Sequence, residues 1–281
     1  MRYLITSAVL ALSGLATIAQ AGPETWTTGP FDMPESAIHD AARDRIVLSL
    51  IGGHPGAADG NGALALLSPE GDILDPAWVT GLDAPKGMAI VGSTLLVADL
   101  TRLHEIDLST GTLIRSLDVD GAVFLNDLTS DGQQAFVSDF MTNRIWRYEA
   151  GQLSLWMDDA NLNHPNGLLL ESDRLLVGSW GAGMRDDFST EEPGSLLSIN
   201  LADKTISVVA ARIGNIDGVV KLGTHLLVND WITGHLMKID ADGTARTVAK
   251  HAPGLADIAT MGDSLLLPSM LEGTLSAQPY P

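Results

Sequence analysis

His164-Pro165-Asn166-Gly167-Leu168-Leu169-Leu170, followed by Ser172-Asp173-Arg174-Leu175-Leu176-Val177-Gly178-Ser179-Trp180, reads as a turn, a short strand, a tight connection and a second short strand. Asn166 sits where the first strand begins. The arrangement recurs along the chain. Pro85-Lys86-Gly87-Met88 leads into Leu95-Leu96-Val97-Ala98-Asp99, and Leu125-Asn126-Asp127-Leu128 into Ala135-Phe136-Val137-Ser138-Asp139. Ile216-Asp217-Gly218-Val219 leads into Leu226-Leu227-Val228-Asn229-Asp230. Two weaker copies are Pro34-Glu35-Ser36-Ala37 before Ile46-Val47-Leu48, and Leu255-Ala256-Asp257-Ile258 before Leu265-Leu266-Leu267-Pro268. The equivalent positions are therefore Glu35, Lys86, Asn126, Asn166, Asp217 and Ala256, spaced 51, 40, 40, 51 and 39 residues apart.

A period of this length means one supersecondary unit per copy, and the composition of each copy says which unit. Apolar runs of three to five residues are separated by Gly, Asp, Asn, Ser and Thr, the pattern of short strands joined by tight turns. Each copy continues into a third strand and usually a fourth, as in Leu103-His104-Glu105-Ile106-Asp107 with Thr112-Leu113-Ile114-Arg115. Six units of four antiparallel strands specify an all-β fold, a six-bladed β-propeller. The last unit lacks a fourth strand before the chain reaches Pro281. Residues 24–28, Glu-Thr-Trp-Thr-Thr, are expected to fill that place, closing the ring and hiding two strand edges. Residues 22–281 are expected to form a single propeller domain without a linker.

The first 21 residues are set apart from this pattern. Arg2 precedes an apolar stretch over 4–19 that ends in Ala19-Gln20-Ala21, the layout of a secretory signal peptide. A membrane-spanning helix would need a longer apolar segment. The chain is thus expected to be exported and soluble, periplasmic in a Gram-negative cell and secreted otherwise. The whole sequence has 16 Lys and Arg against 35 Asp and Glu; without Arg2 the balance is 15 against 35, a net charge of −20. Such a charge disfavours nucleic acid and anionic membranes as partners and favours cations. The absence of cysteine excludes disulfides, thiolate metal sites and thiol redox chemistry.

Topology converts the repeated position into a site. In a four-stranded meander the innermost strand starts on one face of the disc, so all six equivalent residues should ring one mouth of the central channel. The two long spacings come from extra residues at 52–62 and 181–194. Both fall between a second and a third strand, and so both should rise over the same mouth, where long loops commonly serve as lids. Glu35, Asn126, Asn166 and Asp217 bring two carboxylates and two amide oxygens to one axis. This hard-oxygen set suits one divalent cation, Ca²⁺ in the first place, with Zn²⁺, Mn²⁺ or Mg²⁺ as alternatives. Any one of these residues alone would pass for a turn former.

Pro-Glu at 34–35, Asn-Asp at 126–127 ahead of Asp131-Gly132, Pro-Asn-Gly at 165–167 and Asp-Gly at 217–218 carry a resemblance. In order and spacing the set resembles the motif series of the SMP-30/gluconolactonase/luciferin-regenerating enzyme family, over essentially the whole chain after residue 21. The resemblance implies a six-bladed propeller with a central divalent metal and, commonly, lactone hydrolysis. By that match Glu35, Asn126, Asn166 and Asp217 correspond to the metal ligands, and Asp217 also to the general base. Two positions depart from the pattern. Phe124 stands where lactonases of this family often carry an arginine, and Lys86 brings a cation to the mouth. The similar Pro-His-Gly stretch of the related paraoxonases places a histidine at the position of Lys86.

The expected activity is metal-assisted hydrolysis of a lactone or related ester, the ion polarising the carbonyl while a carboxylate or a neutral lysine activates water. Lys86 as base and Lys86 as counter-ion to Glu35 both stand open. The alternative is a non-catalytic exported propeller that binds a small ligand or a protein through its top face around a structural metal. No G-x-S-x-G elbow, P-loop, H-E-x-x-H or complete EF-hand loop occurs. His164, Trp180 and Trp231 are expected near the mouth and, with Phe124, are candidates to line a substrate pocket. Asp99, Asp139 and Asp230, ending second strands on the top face, are expected to tie neighbouring blades together. The remaining tryptophans are expected between blades. No partner protein is expected.

Overall fold

A computed structural model describes residues 25–280; the expected signal segment and Glu24 lie outside them. Six antiparallel sheets form the blades of a propeller, and no α-helix occurs among the described residues. The innermost strands are Pro34–Asp40, Pro85–Val91, Leu125–Ser130, Pro165–Leu170, Ile216–Leu222 and the short Ala259–Met261. In the first five blades each is followed outward by its second, third and fourth strands in sequence order, and in the sixth by its second and third. In the fourth blade the long connection adds a two-residue strand, Gly181–Ala182, which pairs with the start of the third strand, Glu192–Asn200.

The burial pattern explains why this arrangement holds together. Second strands such as Arg45–Leu50 and Gln134–Asp139 are buried on both faces, so their sequences read as continuous apolar runs instead of alternating ones. Six apolar clusters fill the six spaces between adjacent blades. One contains Val47, Leu64, Leu95 and Val97, another Phe136, Ile145, Leu168 and Leu175. Trp26, Trp78, Trp146 and Trp156 all belong to these inter-blade clusters, as the sequence led one to expect.

The ring closes as the repeat count requires. Trp26–Thr28 pairs with Thr274–Pro279, matching Trp26 to Ala277 and Thr28 to Leu275, and completes the last blade as its outermost strand. The same segment reaches across to the first blade, where Trp26 Nε1 donates to the Pro69 carbonyl at 2.9 Å and Thr28 Oγ1 to the Gly71 carbonyl at 2.6 Å. One short strand thus joins the last blade to the first.

Candidate functional site

Five of the six repeated positions, Glu35, Lys86, Asn126, Asn166 and Asp217, line one cavity at the mouth of the channel, and all five are buried. The sixth, Ala256, is fully buried in an apolar cluster beside it. A shared backbone irregularity aims the five side chains. In each of the first five blades the register between inner and second strand slips by one residue directly after the first paired residue, for example between Pro34 and Ala37 and between Pro165 and Leu168. This is a β-bulge placed at the functional residue, the usual way a strand re-aims a side chain. In three of these blades the amide freed by the bulge is satisfied by a second-strand side chain. Ser36 N donates to Ser49 Oγ at 3.0 Å, Asp127 N to Ser138 Oγ at 2.9 Å and Gly218 N to Asn229 Oδ1 at 2.8 Å.

The bulge also makes a waist below the mouth. The second bulged residues are Ser36, Gly87, Asp127, Gly167 and Gly218. A Cβ on Gly87 would lie 2.6 Å from the Asp127 Cα, and one on Gly167 would overlap the Asp217 carbonyl oxygen. Glycine is required where neighbouring inner strands come this close. Beneath the waist the channel widens into a cavity of about 390 Å³ that is also lined by Ser36, Asp127 and Asp257. Ser36 Oγ donates to Asp257 Oδ2 at 2.6 Å, and burial raises the Asp257 carboxyl to about 7. Burial and the charge of Asp257 hold Asp127 well above the usual carboxylate range as well.

At the mouth a chain of amides runs around the ring. Asn126 Nδ2 donates to Asn166 Oδ1 at 2.7 Å, and Asn166 Nδ2 donates to Asp217 Oδ1 at 2.6 Å. Two buried oxygens are left without a partner, Glu35 Oε2 and Asn126 Oδ1. Burial first, then the charge of Asp217, holds Glu35 well above its ordinary value; burial and the charge of Asp257 do the same to Asp217. Unpartnered buried oxygens are costly, and two carboxyls pushed toward protonation in one pocket form a place that a cation would stabilise. Among the described residues no three His, Cys, Asp or Glu side chains cluster at metal-binding range. The ring instead offers two carboxylates and two amides, so the donor set fits a hard divalent ion with mixed oxygen ligation.

Lys86 does not ion-pair with Glu35. Its Nζ donates to the Ala84 carbonyl at 2.8 Å and to the Pro55 carbonyl at 3.0 Å, and lies 4.4 Å from the centre of the Phe124 ring. Burial lowers its pKa to about 8 despite the opposing charge of Glu35. The supports of this grip come from aspartates at second-strand ends. Asp99 accepts from the amides of Asp83 and Ala84, both at 2.7 Å, and Asp139 from those of Val123 and Phe124. These two tie consecutive blades together, as expected. Asp230 instead caps its own turn, accepting from Ile232 and Thr233.

Above the polar floor stands an apolar collar. The residue just beyond the second strand is Ile51, Phe140, Trp180, Trp231 and Met270 in five of the blades, and all five line the cavity. Trp180 and Trp231 were expected there; Ile51, Phe140 and Met270 were not, although they occupy the same offset in the repeat. Phe124 also lines the cavity, as expected. Its ring lies 5.7 Å from that of Phe140, which in turn is 5.6 Å from Trp180, and Trp180 is 6.1 Å from Trp231. His164 stands outside this wall. Its Nδ1 is 3.0 Å from the Phe140 carbonyl, and its ring packs on Phe140 rather than reaching the cavity. Both long loops reach the mouth, one through Pro55 and the other through Asp187 and Phe188. Trp180 Nε1 holds the second loop by donating to the Phe188 carbonyl at 2.8 Å.

No protein-family model and no curated protein matches the sequence. Among solved structures, a gluconolactonase from Xanthomonas campestris is similar at 17% identity and TM-score 0.67, covering 89% of this chain and 87% of that one. A structural-genomics protein with a proposed gluconolactonase assignment is similar at 17% identity and TM-score 0.66, covering 92% and 93%. A virginiamycin B lyase from Staphylococcus aureus is similar at 10% identity and TM-score 0.59, covering 92% of this chain and 100% of that one. Identities this low speak for the fold, and the two gluconolactonase neighbours accord with the resemblance read from the motifs. The chain is a six-bladed β-propeller, similar in fold to gluconolactonases over at least 89% of its length.

Proposed function

We propose that this chain is an exported, divalent-cation-dependent hydrolase of a lactone or related ester. The observation that carries the reading is the convergence of Glu35, Asn126, Asn166 and Asp217 from four blades, with Glu35 Oε2 and Asn126 Oδ1 buried and unpartnered. These four side chains would hold the cation, Ca²⁺ by preference because every donor is a hard oxygen. When bound, the ion supplies polarisation of the substrate carbonyl and stabilisation of the oxyanion.

The chain's own groups supply the rest. Asn166 fixes Asp217 through Oδ1, so that the other carboxyl oxygen can take a proton from the attacking water. Lys86, predominantly charged at neutral pH and held by two carbonyls, presents positive charge toward the oxygen that becomes negative in the transition state. The Arg2 n-region, the apolar stretch over 4–19 and Ala19-Gln20-Ala21 support export to the periplasm or medium.

The test is hydrolysis of a panel of lactones and aryl esters after chelation, with Ca²⁺, Mn²⁺, Zn²⁺ or Mg²⁺ then restored singly. Turnover should vanish with chelator and return with one of the ions. Glu35→Gln and Asp217→Asn should each abolish it, and full activity in either variant overturns the assignment. Chelation that lowers thermal stability without turnover on any substrate would favour a binding propeller with a structural metal.

A further inference from the structure

The dimensions and lining of the mouth cavity say more about the substrate than the ring beneath it does. The cavity, open toward solvent at the mouth, has a volume of about 160 Å³. That is close to the roughly 150 Å³ of an engineered apolar cavity that takes up benzene, and below the ~300–1,000 Å³ of ordinary small-molecule pockets. Its wall is built from Phe124, Phe140, Trp180, Phe188, Trp231 and Met270. Hydrogen-bonding side chains are few: the four oxygen donors and Lys86 on the floor, Asp187 at the rim and the indole N–H of Trp231 in the wall. The indole N–H of Trp180 is already committed to the Phe188 carbonyl. A ring entering this space would meet other rings edge and face, whereas hydroxyls it carried toward the wall would lose their water with only the Trp231 N–H to replace it.

We propose that the group admitted by this site is a single uncharged ring free of hydroxyls, so that the substrates are small monocyclic lactones and aryl esters and polyhydroxylated sugar lactones are rejected. The substrate class rests on the hydrolase reading for its reaction; the ring pocket rests on the wall alone. Selectivity comes from the wall, and the floor handles the ester group whichever ring arrives. An apolar pocket rejects one added hydroxyl by about a hundredfold, so a tetrahydroxylated lactone should trail an unsubstituted one of the same ring size by at least that factor in kcat/KM.

The experiment separates the two readings. Acetanilide, the hydrolysis-resistant amide counterpart of phenyl acetate, is titrated against the protein by calorimetry with glucose as control, and kcat/KM is measured for δ-valerolactone, phenyl acetate and glucono-δ-lactone. Expected are one-to-one binding of acetanilide, none of glucose, and a hundredfold or larger preference for δ-valerolactone over glucono-δ-lactone. Phe188→Ser, on the loop at the rim, should weaken acetanilide binding about tenfold with an unchanged melting temperature. Phe124→Asn is the second variant and should narrow the preference between the two lactones. Acetanilide binding without hydrolysis of any ester upholds the ring pocket and removes the hydrolase. Hydrolysis that favours glucono-δ-lactone, or glucose binding as tightly as acetanilide, overturns the inference and leaves the hydrolase standing.

Discussion

Asn166 Nδ2 donates to Asp217 Oδ1 at 2.6 Å, joining two blades through residues 51 positions apart in sequence. The bond fixes one carboxyl oxygen of Asp217, and Asn166 is itself fixed by Asn126. Removing the middle member therefore frees its neighbour on each side. Asn166→Ala removes one of the four proposed oxygen donors together with the bond that orients Asp217, and should weaken divalent-cation binding by at least about 10–100-fold, the usual cost of losing the orienting group alone. Calorimetric titration with Ca²⁺ or Mn²⁺ reads this directly, and unchanged affinity would place the cation elsewhere.

The pH dependence of stability has a definite sign. Glu35, Asp217 and Asp257 are all raised by burial, Asp257 to about 7, so between the ordinary carboxylate range and that value the folded state binds more protons than the unfolded one. Stability must then fall as pH rises through this window. The cation-free protein should melt at a higher temperature at pH 5 than at pH 7.5. Added divalent cation should recover more stability at pH 7.5 than at pH 5, because at the lower pH protons compete for the same carboxylates. A melting temperature that climbs from pH 5 to 7.5 in chelator would contradict the buried acidic ring.

Lys86 moves the other way at higher pH. Its folded pKa of about 8 lies below the ordinary lysine value of 10.5, so above pH 8 the unfolded chain binds the additional proton and the cost of burying the ammonium is relieved. If Lys86 acts as a cation, turnover should decline as pH passes about 8, and Lys86→Met should remove that limb of the profile while lowering kcat. A profile that rises through pH 8 would make the neutral amine the active form.

The waist can be probed without touching a polar group. Gly167→Ala places a Cβ onto the Asp217 carbonyl oxygen, and the neighbouring inner strand must move to accept it. Overpacking of this kind costs about 1–3 kcal/mol. The variant should melt several degrees lower and lose cation affinity as well, since the strand that moves carries Asp217. Gly132→Ala is a contrasting case, at a turn where a Cβ meets nothing within 4 Å but φ is +88°. It should lower stability through backbone strain alone and leave cation affinity unchanged.

Ring closure is the remaining dependence. Trp26→Ala removes the bond to the Pro69 carbonyl and the indole that packs against the cluster between the last blade and the first. About 2 kcal/mol or more should be lost, in keeping with truncation of a half-buried aromatic residue. The freed edge of Thr274–Pro279 should also make the variant prone to self-association, which light scattering on heating would detect.

The blade count, the strand order within each blade and the closing role of Trp26–Thr28 were legible because each copy carries its own turn residues and apolar runs at a fixed period. The same period brought Glu35, Lys86, Asn126, Asn166 and Asp217 to one mouth, since topology alone decides where inner strands begin. Register against the second strand was not legible. The bulges that aim those five side chains, and the waist where Gly87 and Gly167 are obligatory, arise from hydrogen-bond pairing between strands and from the packing of blade against blade. The collar lay between these extremes. Ile51, Phe140 and Met270 share the offset of Trp180 and Trp231, but chemically different side chains at one offset reveal a common wall only after the ring has closed around it. Sequence by itself determined which residues begin the inner strands at the channel mouth, because each copy carries its own turn residues and apolar runs in the same order. Whether Lys86 would be gripped by Ala84 and Pro55 instead of Glu35, and whether His164 would reach the cavity or lie behind Phe140, was decided by tertiary structure, because those contacts depend on loops and blades that meet only in the folded ring.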